Sequence, residues 1–266
     1  MQACFDSKIK PSIINDDRYP VGLTARITVA TTKKLSIMTS PSHFALIPAA
    51  GVGLRMRAER PKQYLHVAGK SILRHTADAF LASPVIAHTF IVVSRNDDWI
   101  NEVFPEEQEG VTLLRCGGQT RRDSVLNGLD AIAAVVAAQD WILVHDAARP
   151  GLTPALIGKL IKAIGDNPAG GLLALPVADT VKRQEQGRVE TVSREGLWLA
   201  QTPQVFRYEL LKRALRENPD VTDEAGAIEE LGLVPQLVEG HICNSKVTTS
   251  ADMELLEMFL AFQKQT

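Results

Sequence analysis

Three groups of residues have types and spacings suited to handling anions. The first is Pro48-Ala49-Ala50-Gly51-Val52-Gly53-Leu54-Arg55-Met56, followed by Pro61-Lys62-Gln63. Gly51 and Gly53 let the backbone curl and aim N–H groups at an anion, and a helix N-terminus beyond them adds a favourable dipole. Arg55 and Lys62 place positive charge beside that loop, where they can neutralise phosphates and the charge that develops in group transfer. Either cation alone reads as a surface residue; together, after such a loop, they point to a phosphate site. The second group is Trp141-Ile-Leu-Val-His-Asp-Ala-Ala-Arg-Pro150, an apolar run that ends in Asp146. Mg²⁺ takes one or two carboxylates plus substrate phosphates, so one Asp can suffice. The plain alternative for Asp146 is a helix N-cap, and His145 reads as a packed or hydrogen-bonded neighbour.

The third group is Cys116-Gly-Gly-Gln-Thr-Arg-Arg-Asp-Ser-Val125. Thr120 with Asp123 is a weak relative of the capping box. Gly117 and Gly118 allow a ligand to approach the backbone, and Ser124 could donate to a base edge. Taken alone, this segment is best read as a helix start. Thr222-Asp223-Glu224 reads the same way, with acids favoured by the helix dipole. Asn244-Ser-Lys-Val-Thr248 reads as a short strand with an inward-capable Lys246.

Two standard phosphate motifs fail. A dinucleotide-binding turn needs a third Gly where Met56 stands. Gly69-Lys70-Ser71 imitates a Walker A loop, but Tyr64 occupies the position of that loop's first Gly.

These residues are carried by an alternation of short apolar runs and longer amphipathic stretches. Phe44–Ala49, Thr89–Val93, Trp141–Val144 and Gly171–Pro176 have strand character. Ile72–Leu81, Ser124–Ala138, Pro154–Ile164, Arg207–Arg216, Glu224–Leu231 and Ala251–Phe262 have the helical period. Ala45-Leu46-Ile47 and Ile142-Leu143-Val144 are apolar throughout, as strands buried on both faces are. The pattern predicts an α/β fold of three layers, a mostly parallel Rossmann-like sheet between helices. Ligands on such sheets sit beyond the carboxyl ends of the strands. Asp179–Trp198 breaks the alternation: it is polar, with turn signals at Gln186-Gly187 and Glu195-Gly196. It reads as a hairpin leaving the main body, either a lid, a dimerisation arm or a solvated surface hairpin.

Composition narrows the function classes. The 266 residues are 45% hydrophobic and 23% charged, with net charge −2. No global basic field draws the chain to nucleic acid or an anionic membrane. Cys4, Cys116 and Cys243 form no close pair, which excludes a disulfide framework or zinc site and fits a reducing cytoplasm. No apolar run reaches the roughly 18 residues of a membrane span. Residues 1–41 mix charge, Pro and short apolar pieces with no sustained period. They read as a disordered extension ahead of one domain at 42–266, either an over-extended start before Met38 or a targeting segment.

Taken in order, Pro-Ala-Ala-Gly-x-Gly-x-Arg-Met (48–56), Pro-Lys-Gln-Tyr (61–64), Gly-Gly-x-x-Arg-x-Asp-Ser-Val (117–125) and Val-His-Asp-Ala-Ala-Arg-Pro (144–150) form a recognisable series. It continues with Asp-Thr-Val-Lys (179–182), Leu-Trp-x-x-Gln-Thr-Pro-Gln-x-Phe (197–206), Thr-Asp-Glu-Ala (222–225) and Lys-Val-Thr (246–248). The series closely resembles the 2-C-methyl-D-erythritol 4-phosphate cytidylyltransferase family. The resemblance implies transfer of CMP from CTP to the methylerythritol phosphate in non-mevalonate isoprenoid synthesis, with Mg²⁺ and a homodimer joined by the 179–198 arm. It further implies that Arg55 and Lys62 stabilise the transition state and that Ala49, Ala50, Gly51, Gly53, Gly118 and Ser124 hold CTP. Asp146, beside Ala147, would bind Mg²⁺ and line the substrate site. Arg149, Thr180, Arg194 and Lys246 would grip the acceptor phosphate, with Thr180 and Arg194 supplied across the dimer. Many relatives have an acidic residue shortly before the Lys-Val-Thr lysine; here the stretch is His241-Ile-Cys-Asn-Ser245, so only Asp146 is assigned to metal. Ribitol 5-phosphate cytidylyltransferases share the loop, lysine and aspartate motifs, but tend to differ at Pro48–Gly51 and Thr222–Ala225. A non-catalytic nucleotide sensor on the same fold is the alternative of a different class.

Overall fold

In the computed structural model, residues 40–51 and 60–263 are described. Gly53, Arg55 and the extension assigned to residues 1–41, except for its last two positions, lie outside them. The strands are β1 (His43–Pro48), β2 (His66–Val67), β3 (Lys70–Ser71), β4 (His88–Val92), β5 (Val111–Leu114), β6 (Trp141–Val144), β7 (Gly171–Pro176), β8 (Val181–Glu185), β9 (Arg188–Val192), β10 (Trp198–Arg207) and β11 (Gln236–Glu239). The helices are α1 (Ile72–Leu81), α2 (Ile100–Val103), α3 (Arg121–Ala131), α4 (Pro154–Ile164), α5 (Tyr208–Glu217), α6 (Glu224–Glu230) and α7 (Ser250–Gln263).

Seven strands form the central sheet in the order β11-β7-β10-β6-β1-β4-β5. Its pairs are parallel except where β10 runs antiparallel between β6 and β7. The apolar runs are continuous because both faces are covered. Ala45 and Ile47 of β1, Ile91 of β4 and Leu143 of β6 pack with α1 and α4 on one face. Their chain neighbours Leu46, Phe90, Val92, Ile142 and Val144 pack with α3, α5 and α6 on the other. This is the period of two expected of a strand, read out in two cores at once. Gly128 lets α3 lie close to the sheet, since a Cβ there would come within 2.7 Å of Val92 Cγ2. A helical Gly costs about 1 kcal/mol relative to Ala, so close packing is what it provides.

Ile72–Leu81, Trp141–Val144, Pro154–Ile164 and Gly171–Pro176 form the elements their patterns predict. The Walker look-alike is structural: Lys70 and Ser71 form β3, and Ser71 caps α1 by accepting the Arg74 N–H. Three differences have physical causes. The sheet has edge strands β5 and β11 that the alternation does not announce, because each is four residues long and only partly covered. β10 is also unannounced, since Gln201, Thr202, Pro203 and Gln204 look like a loop. The two glutamines are buried yet bonded: Gln204 donates to Asp223 and accepts from the Ala225 N–H, and Gln201 donates to the His241 carbonyl. Finally, Asn244–Thr248 is not a strand. It leaves a 3₁₀ turn at Ile242–Asn244 and runs as an extended loop, with the Val247 N–H bonded to the Ala148 carbonyl.

Asp179–Trp198 contains β8 and β9, a separate two-stranded sheet. Gln186 (φ 48°) and Gly187 (φ 80°) make its turn. Positive φ at both central positions matches the twist of a two-residue hairpin.

Candidate active site

The carboxyl ends of β1, β4 and β6 open onto a cleft of about 470 Å³. Its described walls include Ala49, Ala50 and Gly51 after β1, Lys62 and Gln63, Gly118 to Arg121 with Ser124, Asp146 to Ala148, and Lys246. The alternation argument placed the site at this edge of the sheet.

The loop after β1 is held from two sides. Gln63 Nε2 donates to the carbonyls of Ala49 (2.8 Å) and Gly51 (2.9 Å), and Ser94 Oγ donates to Ala50 O. With those carbonyls tied back, the path of Ala49 to Gly51 is set by protein contacts. Gly117 is required by the close approach: a Cβ there would lie 2.3 Å from that of Ala50. The capping box at α3 is complete, with Thr120 and Asp123 bonding each other's backbone N–H. Ser124 Oγ donates to Thr120 O and accepts the Gly118 N–H. Its hydroxyl hydrogen is therefore committed locally. What it offers a ligand is its remaining lone pair, not the donor suggested by sequence.

Asp146 does not cap a helix; it emerges from β6 into a ring of cations. Arg121 Nε lies 2.8 Å from Oδ1, Lys246 Nζ 2.8 Å from Oδ2, and Arg149 Nε 3.5 Å from Oδ2. Burial alone would raise the Asp146 carboxyl, but Arg121, Lys246 and Arg149 outweigh it and hold the group well below the usual carboxylate range. Arg121 is also gripped from behind by Glu224, with Nη1–Oε1 2.7 Å and Nη2–Oε2 3.0 Å. Glu224 is wholly buried. The sequence reading gave neither Arg121 nor Glu224 a role. A Glu in the first turn of α6 is already accounted for by the helix dipole, and nothing local shows that an Arg far along the chain faces it.

Lys62 lines the cleft, and its Nζ donates to Val247 O at 3.2 Å. Arg149 Nη1 donates to Asn244 O at 2.8 Å. Thr180 and Arg194 are elsewhere: both are exposed on the hairpin segment, where Arg194 donates to the Ala178 carbonyl. Within one chain they do not line the cleft.

His145 is fully buried, with Nε2 3.1 Å from Arg149 O and Nδ1 2.9 Å from Thr202 Oγ1. Since a carbonyl only accepts, the proton sits on Nε2. Burial pushes its pKa down to about 3, so the ring is neutral at physiological pH. In the unfolded chain the value returns to about 6.5. Unfolded molecules therefore bind a proton that folded ones refuse. The stability held above about pH 6.5 falls as pH drops toward 3, by at most about 1.4 kcal/mol per unit from this residue. His43 and His88 are shifted the same way by burial, so the check is a difference. Urea unfolding of His145→Gln at neutral and mildly acidic pH should show a shallower dependence than the wild type. Equal slopes would mean that His145 titrates normally.

The sequence profile of the 2-C-methyl-D-erythritol 4-phosphate cytidylyltransferase family matches residues 43–261. The enzyme of that name from Dechloromonas aromatica (strain RCB) is 50% identical over 227 residues, covering 84% of this chain and all of its own. A crystal structure of a 4-diphosphocytidyl-2C-methyl-D-erythritol synthase is similar at TM-score 0.73 and 40% identity, covering 84% of this chain and 100% of that one. The Francisella tularensis 2-C-methyl-D-erythritol 4-phosphate cytidylyltransferase follows at TM-score 0.70 and 33% identity, covering 82% and 99%. With the family profile matching residues 43–261 and a relative of that name 50% identical over its whole length, the chain belongs to the 2-C-methyl-D-erythritol 4-phosphate cytidylyltransferase family.

Proposed function

We propose that this chain transfers the cytidylyl group of CTP to 2-C-methyl-D-erythritol 4-phosphate and releases pyrophosphate. The observation that carries the reading is the cleft in which Arg121, Lys246 and Arg149 gather about Asp146, with Lys62 on its wall beside the tied-back residues Ala49 to Gly51. An acceptor phosphate has its second pKa at about 6 and is largely a dianion at neutral pH. One of its oxygens bonds to the α-phosphorus of CTP as the bond to the β-phosphate bridging oxygen breaks. No general base is needed, and His145, buried and neutral, is not poised as one. The protein's task is to align two anions and offset their repulsion, which is positioning plus electrostatics.

In this assignment Ala49, Ala50, Gly51 and Gly53 hold CTP with Gly118 and Ser124. Ala147 forms wall beside Asp146, and Arg55 and Lys62 take up charge at the reacting phosphate. Arg149 and Lys246 hold the acceptor phosphate, joined by Thr180 and Arg194 of a second copy. Support for the second copy comes from the hairpin, where Val189, Leu197, Trp198 and Leu199 are large exposed apolar residues on and beside it. Such a patch favours a protein interface.

Among the described residues no three His, Cys, Asp or Glu converge as a metal cage. Asp146 is the only acidic side chain among the described residues lining the cleft, and it is kept ionised by its cations. That donor set fits Mg²⁺ carried in by a triphosphate and meeting a single carboxylate. Bound there, Mg²⁺ would offset phosphate charge.

Purified chain is supplied with CTP, Mg²⁺ and either methylerythritol phosphate or ribitol 5-phosphate, and pyrophosphate is measured. Release is expected with the first, little with the second, and none after chelation by EDTA. Preference for ribitol 5-phosphate, or CTP binding with no turnover, would overturn the assignment. Sedimentation should give a species of twice 29.0 kDa; a monomer would remove the shared site.

A further inference from the structure

Two of the cations assigned to the acceptor, Arg149 and Lys246, belong to loops far apart in sequence, and one buried amide joins them. Asn244 is fully buried. Its Nδ2 donates to Thr202 O at 2.7 Å and to Gln201 Oε1 at 3.3 Å. Both acceptors lie where β10 leaves its register with β7, between Ala200 and Gln204, so the Thr202 carbonyl is available to a side chain. The main-chain carbonyl of Asn244, whose place the amide fixes, in turn accepts from Arg149 Nη1 at 2.8 Å, and Lys246 stands two residues further on.

The two loops also touch backbone to backbone. A Cβ on Gly151 would lie 1.8 Å from Cys243 O, and the Val247 N–H bonds to Ala148 O at 2.8 Å. Without a side chain at 151, the 242–247 segment settles directly on the loop that carries Asp146 and Arg149. Lys246 Nζ then reaches Asp146.

We propose that Asn244 is a positioning residue for acceptor binding, a pin that sets Arg149 and Lys246 at one spacing and is clamped by Gly151. It lines no part of the cleft and touches no substrate; it acts through the two cations. A carboxylate could not do this, because both atoms facing the Asn244 amide nitrogen are oxygens that need a donor. The proposal rests on the acceptor assignment above. It predicts a larger effect on the acceptor KM than on the KM for CTP, since residues 49–51 of the nucleotide loop are tied separately by Gln63 and Ser94.

The test is Asn244→Leu, which keeps the bulk and removes the donor. Loss of an outer partner of a binding group costs about 10–100-fold where such shells have been dissected, chiefly around metal ligands. The acceptor KM should rise by about tenfold or more on that scale, with a smaller change in the KM for CTP. An unchanged acceptor KM in the folded variant, or both KM values rising by the same factor, would overturn the pin. If Asn244→Leu does not fold, Gly151→Ala perturbs the same contact from the other loop and should give the same split; no split there overturns it equally. One readout is independent of activity: the Arg149 guanidinium N–H signals in NMR, held by Asn244 O, should lose their protection in Asn244→Leu. Retained protection would count against the pin. A wild type that releases no pyrophosphate would sink the functional assignment instead, leaving these signals to decide the pin.

Discussion

Lys62→Met is expected to lower kcat by about 10²–10³-fold, the range found when one donor to a developing oxyanion is removed, with a much smaller change in CTP affinity. The argument starts with how firmly the backbone beneath Lys62 is held. Its neighbour Gln63 is buried and bonded to two carbonyls of the glycine loop. Tyr64 is buried next to it and donates to Asp97 Oδ2 at 2.7 Å. Lys62 therefore starts from an anchored turn, and its amine reaches the cleft wall, where it donates to Val247 O. Methionine matches the length of the stem but carries no charge, so the substitution removes electrostatics and keeps packing. In the proposed assignment ground-state CTP would keep other partners in the loop, whereas charge at the α-phosphate grows only as the new bond forms. Steady-state kinetics with calorimetric titration of CTP separate the two. A variant with wild-type kcat and weakened CTP binding would place Lys62 in substrate affinity alone.

The second large effect concerns stability. Arg121→Met is expected to cost about 3–5 kcal/mol of unfolding free energy, because removing the half-buried guanidinium strands the charge of its buried partner. Glu224 is the stranded group: it is wholly buried, and both of its oxygens lie within 3.0 Å of the Arg121 guanidinium. The dipole of α6 favours an acid in its first turn but is worth only about 0.3–1 kcal/mol, too little to replace the guanidinium. Urea denaturation measures the loss. Arg121→Met combined with Glu224→Leu should recover much of it, since replacing both partners of such a pair by apolar groups is often close to neutral. A cost below about 1 kcal/mol, typical of exposed pairs, would mean that water reaches Glu224. The same variant also leaves Asp146 with Lys246 and Arg149 alone, so stability and activity should be compared in one preparation.

Much of the fold could be read along the chain. Leu46 and Ile47 face opposite cores but are both apolar, as a strand covered on both sides demands. Thr120 and Asp123 announce the start of α3, and Gln186-Gly187 the hairpin turn. These signals are local, produced by residues within a few positions of one another, and a sequence displays them directly. The same reasoning passed over β10, because Gln-Thr-Pro-Gln reads as loop until partners for its polar groups are known.

The glycine loop, the cation Lys62 after it and Asp146 at the end of an apolar run were determined by the sequence itself, and with them the edge of the sheet onto which the cleft opens. Only the tertiary structure decided what surrounds them. Arg121 meets Glu224 from 103 positions away, and Arg149 meets Asn244 from 95. Ser124 proves to have spent its hydrogen on Thr120. Pairing of this kind depends on which charges and amides the packed layers bring within hydrogen-bonding reach, and distance through space leaves no periodic trace along the chain.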